Sequence, residues 1–540
     1  MAGTLLETKF GKKDDGIMNI ELAKCVLETL VNVGVSEFCL CPAGRNSPLV
    51  VTLEKNPDIC LYTHFEERAA AFFALGRIKN HGRPVAVVTT SGTASAELLP
   101  AVIEAYYSGL PLILLTADRP RRDRGTGAPQ AIEQVGLFGP YVTASFDVAV
   151  GESLDLQKWD RKFPCHLNVC FDEPLLVETW VENRTGPATP VLPTPREKRG
   201  PSEGSSVSPV RFSTPSLDGR GKGEGVLPHL KRPLIILGQL SAEERKKILP
   251  ILLRWNVPMV AEALSGLREN SVLQDRLILS GDKILEEGMF DSVIRIGNVP
   301  TLRFWRDLGG KYKHLPVFVF SSLPFSGLGR ENVEVYDLSA IESLPKLEWV
   351  CDPLQRDCVP SQGDCNPPQG AGVFYELSKI IPSGSRIFLG NSSPIREWDL
   401  HATREDKGFE VAANRGANGI DGELSSFYGW CEAGKSNWAI LGDLTTLYDL
   451  SAPWVLPQLK NTETNLVVIN NGGGQLFSKL FKQEIFINRH QLSFEHWAKM
   501  WNLSYVIASS NPFVLSLPRG GPSKDGGHRM IEIPILMSSP

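Results

Sequence analysis

Asp443, Asn471 and the glycine run behind them form the pattern in this chain best suited to chemistry. The stretch from Trp438 to Phe477, WAILGDLTTLYDLSAPWVLPQLKNTETNLVVINNGGGQLF, holds an apolar strand (Trp438 to Leu441) ending in Gly442-Asp443. A helical segment follows, then a second apolar strand (Asn465 to Ile469) ending in Asn470-Asn471 and three glycines. That order predicts a βαβ unit. Its right-handed crossover sets the carboxyl ends of both strands side by side, where parallel α/β sheets bind ligands, so Asp443 and Asn471 can face one bound group. Magnesium takes oxygen ligands in near-octahedral geometry and shares them with phosphates. The Asp443 carboxylate, the Asn471 amide oxygen and the Gly473 carbonyl would leave room for two diphosphate oxygens and a water.

The elements around this pattern are those of an α/β protein. At 540 residues the length predicts three to four domains, and 42% hydrophobic with 22% charged residues is ordinary for a globular chain. A net charge of −5 is too mild to favour nucleic acid or an anionic membrane as partner. Apolar runs fall short of a bilayer span and the start, MAGTLLETKFGKKDDGIM, is too charged for a signal peptide, so a cytoplasmic protein is expected. The ten cysteines lack the CxxC pairing of a zinc site and read as reduced thiols.

Along the chain, residues 1–18 are expected to be a disordered extension, with Met18 a conceivable start. Residues 19–184 alternate strands (Phe38 to Cys41, VAVVTT, LILLTA) with helices near Ile20 to Val33 and Glu66 to Lys79, which predicts a parallel sheet. Residues 185–231 turn to Pro, Gly, Ser and Arg and read as a linker. A second α/β region covers 232–348 (PLIILGQL, VPMVAEAL, SVIRIGN, PVFVFSS), a Cys- and Pro-rich connector covers 349–371, and a third region, with the Asp443 pattern, covers 372–540. The tail after Asn511 is weakly patterned.

In YTHFEERAAAFFALG, Glu67 falls at a helix start, where a carboxylate also favours the helix dipole, and Glu66 competes with it for any chemical role. The TTSGTA turn after VAVV lacks GxxxxGK spacing, which argues against nucleotide hydrolysis and for a strand-to-helix turn whose backbone faces a ligand.

Taken together, the segments CLCPAGRNSPL, HFEERAAAFFALG, VVTTSGTASAELLPAVIEA, LILLTADRP, GAPQAIEQ, HLNVCFDEPL, LGNSSPIRE, ANRGANGIDGELS, LGDLTTLYDL and NNGGGQLF resemble the 2-succinyl-5-enolpyruvyl-6-hydroxy-3-cyclohexene-1-carboxylate synthase family of thiamine-diphosphate enzymes. They span most of the first and third regions. The resemblance implies three doubly wound parallel-sheet domains that bind the pyrimidine (19–184), form a centre (232–348) and bind the diphosphate (372–540). It implies thiamine diphosphate and Mg²⁺ or Mn²⁺ as cofactors, decarboxylation of 2-oxoglutarate, and 1,4-addition of the succinyl unit to isochorismate in menaquinone or phylloquinone synthesis. Active sites would lie at the subunit interfaces of a homodimer or homotetramer.

Carried over by that resemblance, Glu67 is the catalytic acid at the aminopyrimidine, since FEER matches a family FDER whose second acid is catalytic. Asp443, Asn471 (rather than Asn470) and Gly473 hold the metal, and Gln475, Leu476 and a bulky Ile420 contact the cofactor. Arg45, Arg119, Gln130, Arg303 (after the Pro300-Thr301 turn), Ser392 (with Ser393 as alternative), Arg396 and Arg415 bind substrate. Arginine forks suit two dicarboxylate substrates. The family's PGSRS loop has Gly44 here in place of serine, so a substrate hydroxyl contact is missing or supplied by Asn46 or Ser47. Two other readings stay open: a carboligase or decarboxylase of the acetolactate synthase type, whose smaller acceptors would not need these arginines, and a relative that binds without catalysing.

Overall fold

The computed structural model describes residues 12–176, 230–278, 290–330, 333–348, 371–477, 481, 483–508 and 527–535. The expected linker, connector and tail fall largely outside these residues. The described strands form three wholly parallel sheets, and the chain divides into two compact units.

The first unit is built on the sheet β1 (Glu37–Leu40), β2 (Cys60–Thr63), β3 (Val85–Thr89), β4 (Leu112–Asp118), β5 (Ala144–Ala149) and β6 (Cys165–Cys170), in the order β2-β1-β3-β4-β6-β5. Every residue of β1, β3, β4 and β6 is buried, as in a sheet covered on both faces, which explains the apolar runs of β3 and β4, while β6 buries His166 and Asn168 among its apolar residues. The first helix runs Lys12–Asn32, so residues 12–18 of the expected extension are helical. Their charged sequence reads as a tail. What the sequence does not reveal is the anchor: the buried Asn19 amide donates to the carbonyls of Asp172 (2.8 Å) and Pro174 (3.1 Å) beyond β6.

Helix Glu67–His81 buries Ala69 through Gly76 and stops at Gly82, whose φ of 73° suits a left-handed cap. Two later segments, Asp421–Cys431 and Asp449–Leu459, belong to the same unit. The helix Glu423–Trp430 crosses Glu67–His81 at bare backbone. A Cβ on Gly76 would lie 2.0 Å from the Ser426 carbonyl oxygen, and one on Gly429 2.0 Å from that of Phe73. Ser426 Oγ donates to the Phe72 carbonyl at the same crossing (3.0 Å).

The second unit carries two sheets. The central one joins β7 (Pro233–Leu237), β8 (Met259–Ala261), β9 (Ser292–Ile296), β10 (Val317–Phe320) and β11 (Val335–Tyr336) in the order β11-β10-β9-β7-β8. The other joins β12 (Arg386–Leu389), β13 (Glu410–Ala412), β14 (Ser436–Gly442), β15 (Glu463–Asn470), β16 (Ser504–Ile507) and β17 (His528–Pro534) in the order β13-β12-β14-β15-β17-β16. This repeats the strand order of the first sheet. Register pairs Leu389 with Ile440 and Gly442 with Ile469, so β14 and β15 end within one residue of each other and β12 stops two residues short of the end of β14. The two sheets are tied by the buried Arg268, which donates to the carbonyls of Asp399 (3.0 Å), Ala402 (2.9 Å) and Thr403 (3.0 Å) and pairs with Glu269.

Candidate functional site

Two groups of predicted residues emerge, one in each unit, and in both they sit just beyond strand carboxyl ends, where an α/β sheet presents ligand-binding loops.

In the first unit the adjacent acids of FEER separate into different roles. Glu66 is the N-cap: its carboxylate accepts from the backbone N–H groups of Arg68 and Ala69 (both 3.1 Å) and from Ser451 Oγ (2.9 Å). Glu67 is the first helical residue, and among the described residues the one hydrogen bond its carboxylate receives is from its own backbone N–H. Burial, reinforced by the negative charges of Glu66 and Glu97, raises its proton affinity above that of an ordinary glutamate. One acid is therefore consumed by the fold, while the other keeps a carboxyl able to hold or give up a proton.

The TTSGTA segment is a strand-to-helix turn, from β3 into the short helix Thr93–Ala96. Gly92 has φ 85°, and a Cβ there would crowd Gln130 at 3.3 Å. The Gly92 N–H donates to the Gln134 side-chain oxygen (2.8 Å), and Gln134 Nε2 donates to Asn168 Oδ1 (2.8 Å). Asn168 in turn donates to Asp118 Oδ2 (3.0 Å), beside Arg119. This buried relay fixes the Gly92 turn against the loop carrying Gln130, and Gln134, the last residue of GAPQAIEQ, is a functional candidate that sequence reasoning missed. Gln130 itself is exposed, with a left-handed φ of 58°. Arg119 Nε is buried and has no hydrogen-bond partner among the described residues. Arg45 is buried and already engaged, donating to the Phe171 carbonyl (3.0 Å) and to Glu173 (2.9 Å).

In the second unit the expected βαβ arrangement is present: β14 ends at Gly442, the helix Asp443–Tyr448 follows, and β15 pairs parallel beside it. Asp443 is buried. Its Oδ2 accepts from the backbone N–H groups of Gly473 (2.9 Å) and Asn471 (3.1 Å), and His490 Nε2 lies 3.2 Å from the same oxygen. Among the described residues Oδ1 accepts only from the Leu444 N–H (2.7 Å), which leaves it capacity for a cation. The Asn471 side-chain amide has no protein partner among the described residues. At Gly473, φ is 132° and a Cβ would lie 2.5 Å from the Ile487 carbonyl oxygen, so the loop closes this tightly only with glycine. The Gly473 carbonyl accepts from the Gln475 N–H (2.9 Å), and Gln475 Nε2 donates to the Asn471 carbonyl (3.2 Å). Leu476 follows within the short turn Gln475–Phe477. A carboxylate oxygen, an amide oxygen and a carbonyl are hard donors that suit Mg²⁺ or Mn²⁺. Among the described residues no group of three or more His, Cys, Asp or Glu could hold a metal alone, so a cation here would share oxygens with its ligand.

Beyond β12, Asn391 organises the neighbouring loop. Its amide donates to the carbonyls of Asn414 (2.8 Å) and Gly419 (2.7 Å), and its Oδ1 accepts from Arg415 (2.7 Å). Ile420, half-buried, follows Gly419. Ser392 caps the helix Ser393–His401 with a left-handed φ of 68°, and its carbonyl accepts from Arg396. Ser392, Arg396, Arg415 and Ile420 are thus gathered around one amide.

Arg303 stands apart, its side chain 67% exposed and 3.6 Å from Asp307, but the turn before it is fixed. Glu262 Oε1 accepts from Thr301 Oγ1 (2.5 Å) and from the Leu302 N–H (3.1 Å), while Thr301 also reaches Asp399 (3.3 Å). Burial, then the charge of Asp399, pushes the Glu262 carboxyl up to about 8, and burial raises Asp399 as well. Burial lowers the proton affinity of Arg396. Glu262 went unnoticed in the sequence, although an acid inside VPMVAEAL is the signal of a buried, partnered carboxyl.

The chain is similar along most of its length to known proteins. The family described as "Thiamine pyrophosphate enzyme, N-terminal TPP binding domain" matches residues 20–137. A curated protein of Bdellovibrio bacteriovorus named 2-succinyl-5-enolpyruvyl-6-hydroxy-3-cyclohexene-1-carboxylate synthase is 44% identical over 90% of this chain and 91% of its own length. Proteins of the same name from Akkermansia muciniphila (38% identical, 90% of each chain) and Geobacillus thermodenitrificans (31%, over 89% and 88%) are also similar.

Proposed function

Because the chain belongs to the 2-succinyl-5-enolpyruvyl-6-hydroxy-3-cyclohexene-1-carboxylate synthase family, we propose that it decarboxylates 2-oxoglutarate and adds the remaining succinyl unit 1,4 to isochorismate, a step toward menaquinone or phylloquinone. The observation that carries this reading is similarity along nearly the whole chain to proteins of that name. When bound, thiamine diphosphate supplies the nucleophilic carbon at which the 2-oxo acid loses CO₂.

The chain's own residues have distinct parts in this proposal. Glu67 holds a proton at the outer nitrogen of the aminopyrimidine, a task suited to a carboxyl of raised proton affinity. Asp443 Oδ1, the Asn471 amide oxygen and the Gly473 carbonyl hold Mg²⁺ or Mn²⁺, with Gln475, Leu476 and Ile420 against the cofactor. Arg45, Arg119, Gln130, Arg303, Ser392, Arg396 and Arg415 bind the substrate carboxylates and hydroxyls. Arg396 and Arg415 are the best supported because Ser392 and Asn391 already hold them in one place. Arg45 is the least available, since Glu173 occupies it. The sheets of 37–170, 233–336 and 386–534 would be the pyrimidine, central and diphosphate domains, and a homodimer or homotetramer would complete each site between subunits.

The test is single-turnover consumption of 2-oxoglutarate by the purified chain with thiamine diphosphate and Mg²⁺, with and without isochorismate, followed by mass spectrometry. The succinyl-cyclohexene adduct is expected. Turnover of pyruvate in place of 2-oxoglutarate would move the chain to the acetolactate synthase type, and cofactor binding with no turnover would make it a non-catalytic relative.

A further inference from the structure

His490, 3.2 Å from Asp443 at the candidate cation site, is a side chain to which neither the sequence nor the family reading gives a task. It lies between the turn Glu484–Phe486 and the helix Glu495–Met500. The backbone around it is laced to the glycine run: the His490 N–H donates to the Gly472 carbonyl (3.2 Å), and the Gly474 N–H donates to the Ile487 carbonyl (2.6 Å). The ring is held as firmly. Its side chain is only 11% exposed, and the Leu492 N–H donates to Nδ1 (3.2 Å). A ring nitrogen that accepts carries no hydrogen, so the hydrogen sits on Nε2.

Nε2 therefore presents an N–H beside Asp443. It is 3.2 Å from Asp443 Oδ2, yet it is buried and makes no aligned hydrogen bond to any described residue. Oδ2 already takes two backbone donors. A buried donor left unmatched is costly, and one that borders a ligand site can be satisfied by an acceptor on the ligand. Metal coordination does not answer the need, because the lone pair is on Nδ1 and Nδ1 is engaged.

We propose that His490 is a further anion-binding residue of this site, its Nε2–H donating to a diphosphate oxygen of the bound cofactor. The proposal rests on the diphosphate reading of the Asp443 site. It assigns recognition to the 487–490 segment as well as to the glycine run, so that the diphosphate is gripped from two sides of one loop pair.

Affinities for thiamine diphosphate (tryptophan fluorescence at saturating Mg²⁺) and for Mn²⁺ alone (electron paramagnetic resonance) test it in the full chain, in His490→Ala and in His490→Gln, whose amide N–H can reach a similar position. His490→Ala should weaken thiamine diphosphate binding roughly 10- to 100-fold, with Mn²⁺ binding changed less than about two-fold, and His490→Gln should recover part of the loss. An equal loss for Mn²⁺ alone would mean that His490 serves only Asp443 and would overturn the proposal, as would unchanged affinity for both. If the unaltered chain bound no thiamine diphosphate, the functional reading itself would have failed, which the variants would not be needed to show.

Discussion

The glycine crossing in the first unit makes a prediction that joins packing to catalysis. Replacing Gly76 with Ala puts a methyl 2.0 Å from the Ser426 carbonyl oxygen and 2.7 Å from the Trp430 backbone nitrogen, where ordinary contact begins at 3.4 Å. Backbone lies on both sides, so no side chain can swing away, and the helices Glu67–His81 and Glu423–Trp430 must part by about 1.4 Å. Overpacking of this kind costs roughly 1–3 kcal/mol. At roughly 2–4 °C per kcal/mol for a unit of this size, the melting temperature should fall by several degrees. The same displacement is passed along a rigid helix to Glu67 at its first turn, and a misplacement of ~1 Å at a reacting group can cost on the order of 100-fold in rate. Differential scanning fluorimetry and single-turnover decarboxylation read the two effects. Gly82→Ala is the control: its φ of 73° makes it destabilising, but nothing lies within 4 Å of the added methyl, so it should lose about 1 kcal/mol and keep its rate. A Gly76→Ala protein with an unchanged melting temperature and rate would refute the argument, and one that lost stability alone would refute its catalytic half.

Separation of the two FEER acids predicts that Glu67→Gln lowers single-turnover decarboxylation by 100-fold or more at an unchanged melting temperature, whereas Glu66→Gln loses about 1 kcal/mol of stability through its helix cap. If Glu66→Gln were the slower variant, the assignment would be reversed. Co-expressed Glu67→Gln and Asp443→Ala chains should recover roughly a quarter of full activity if sites are completed between subunits of a dimer, because half the dimers are mixed and each has one intact site; activity no greater than the sum of the separate variants would place both groups in one chain. Glu262, raised to about 8 by burial and then by Asp399, holds a proton in the folded chain that the unfolded chain releases above about 4.5. Its contribution to stability is therefore complete below about 4.5 and lost as pH rises through about 8, by a few kcal/mol at most; urea midpoints should show this slope and Glu262→Gln should flatten it, while equal slopes would exclude Glu262 as the titrating group.

Much of this was legible because strands buried on both faces announce themselves as apolar runs, and because a ligand-binding loop at the end of such a run is marked by Gly-Asp, Asn-Asn or an arginine. β3, β4, β7, β9, β10, β14 and β15 were read that way. The short β2, β5 and β11 were not, since partly buried edge segments carry mixed residues. Gly76 and Gly429 look like weak helix residues until the partner backbone is present. His490 and Gln134 belong to no repeating pattern. Their significance lies in which N–H or carbonyl they meet 18 to 42 residues away in sequence, and only folding brings those groups together.

The repeated strand order explains why the residues worth testing fall where they do. In the first sheet Arg45 follows β1, Glu67 follows β2, Gly92 follows β3 and Arg119 follows β4. In the third, Asn391 and Ser392 follow β12, Arg415 follows β13, Asp443 follows β14 and Asn471 follows β15. Each sheet thus projects its polar residues from the ends of its first four strands, while the strands supply a rigid, buried base. Opposite charge behaves differently at the other end. Glu37 opens β1 and is locked by Arg77 and His81, which hold its carboxyl down to about 2 against the opposing effect of burial. Both oxygens of the Glu37 carboxylate accept from Arg77 (2.7 and 2.9 Å), whereas at the carboxyl ends Arg119 Nε and His490 Nε2 are buried donors that no described residue uses.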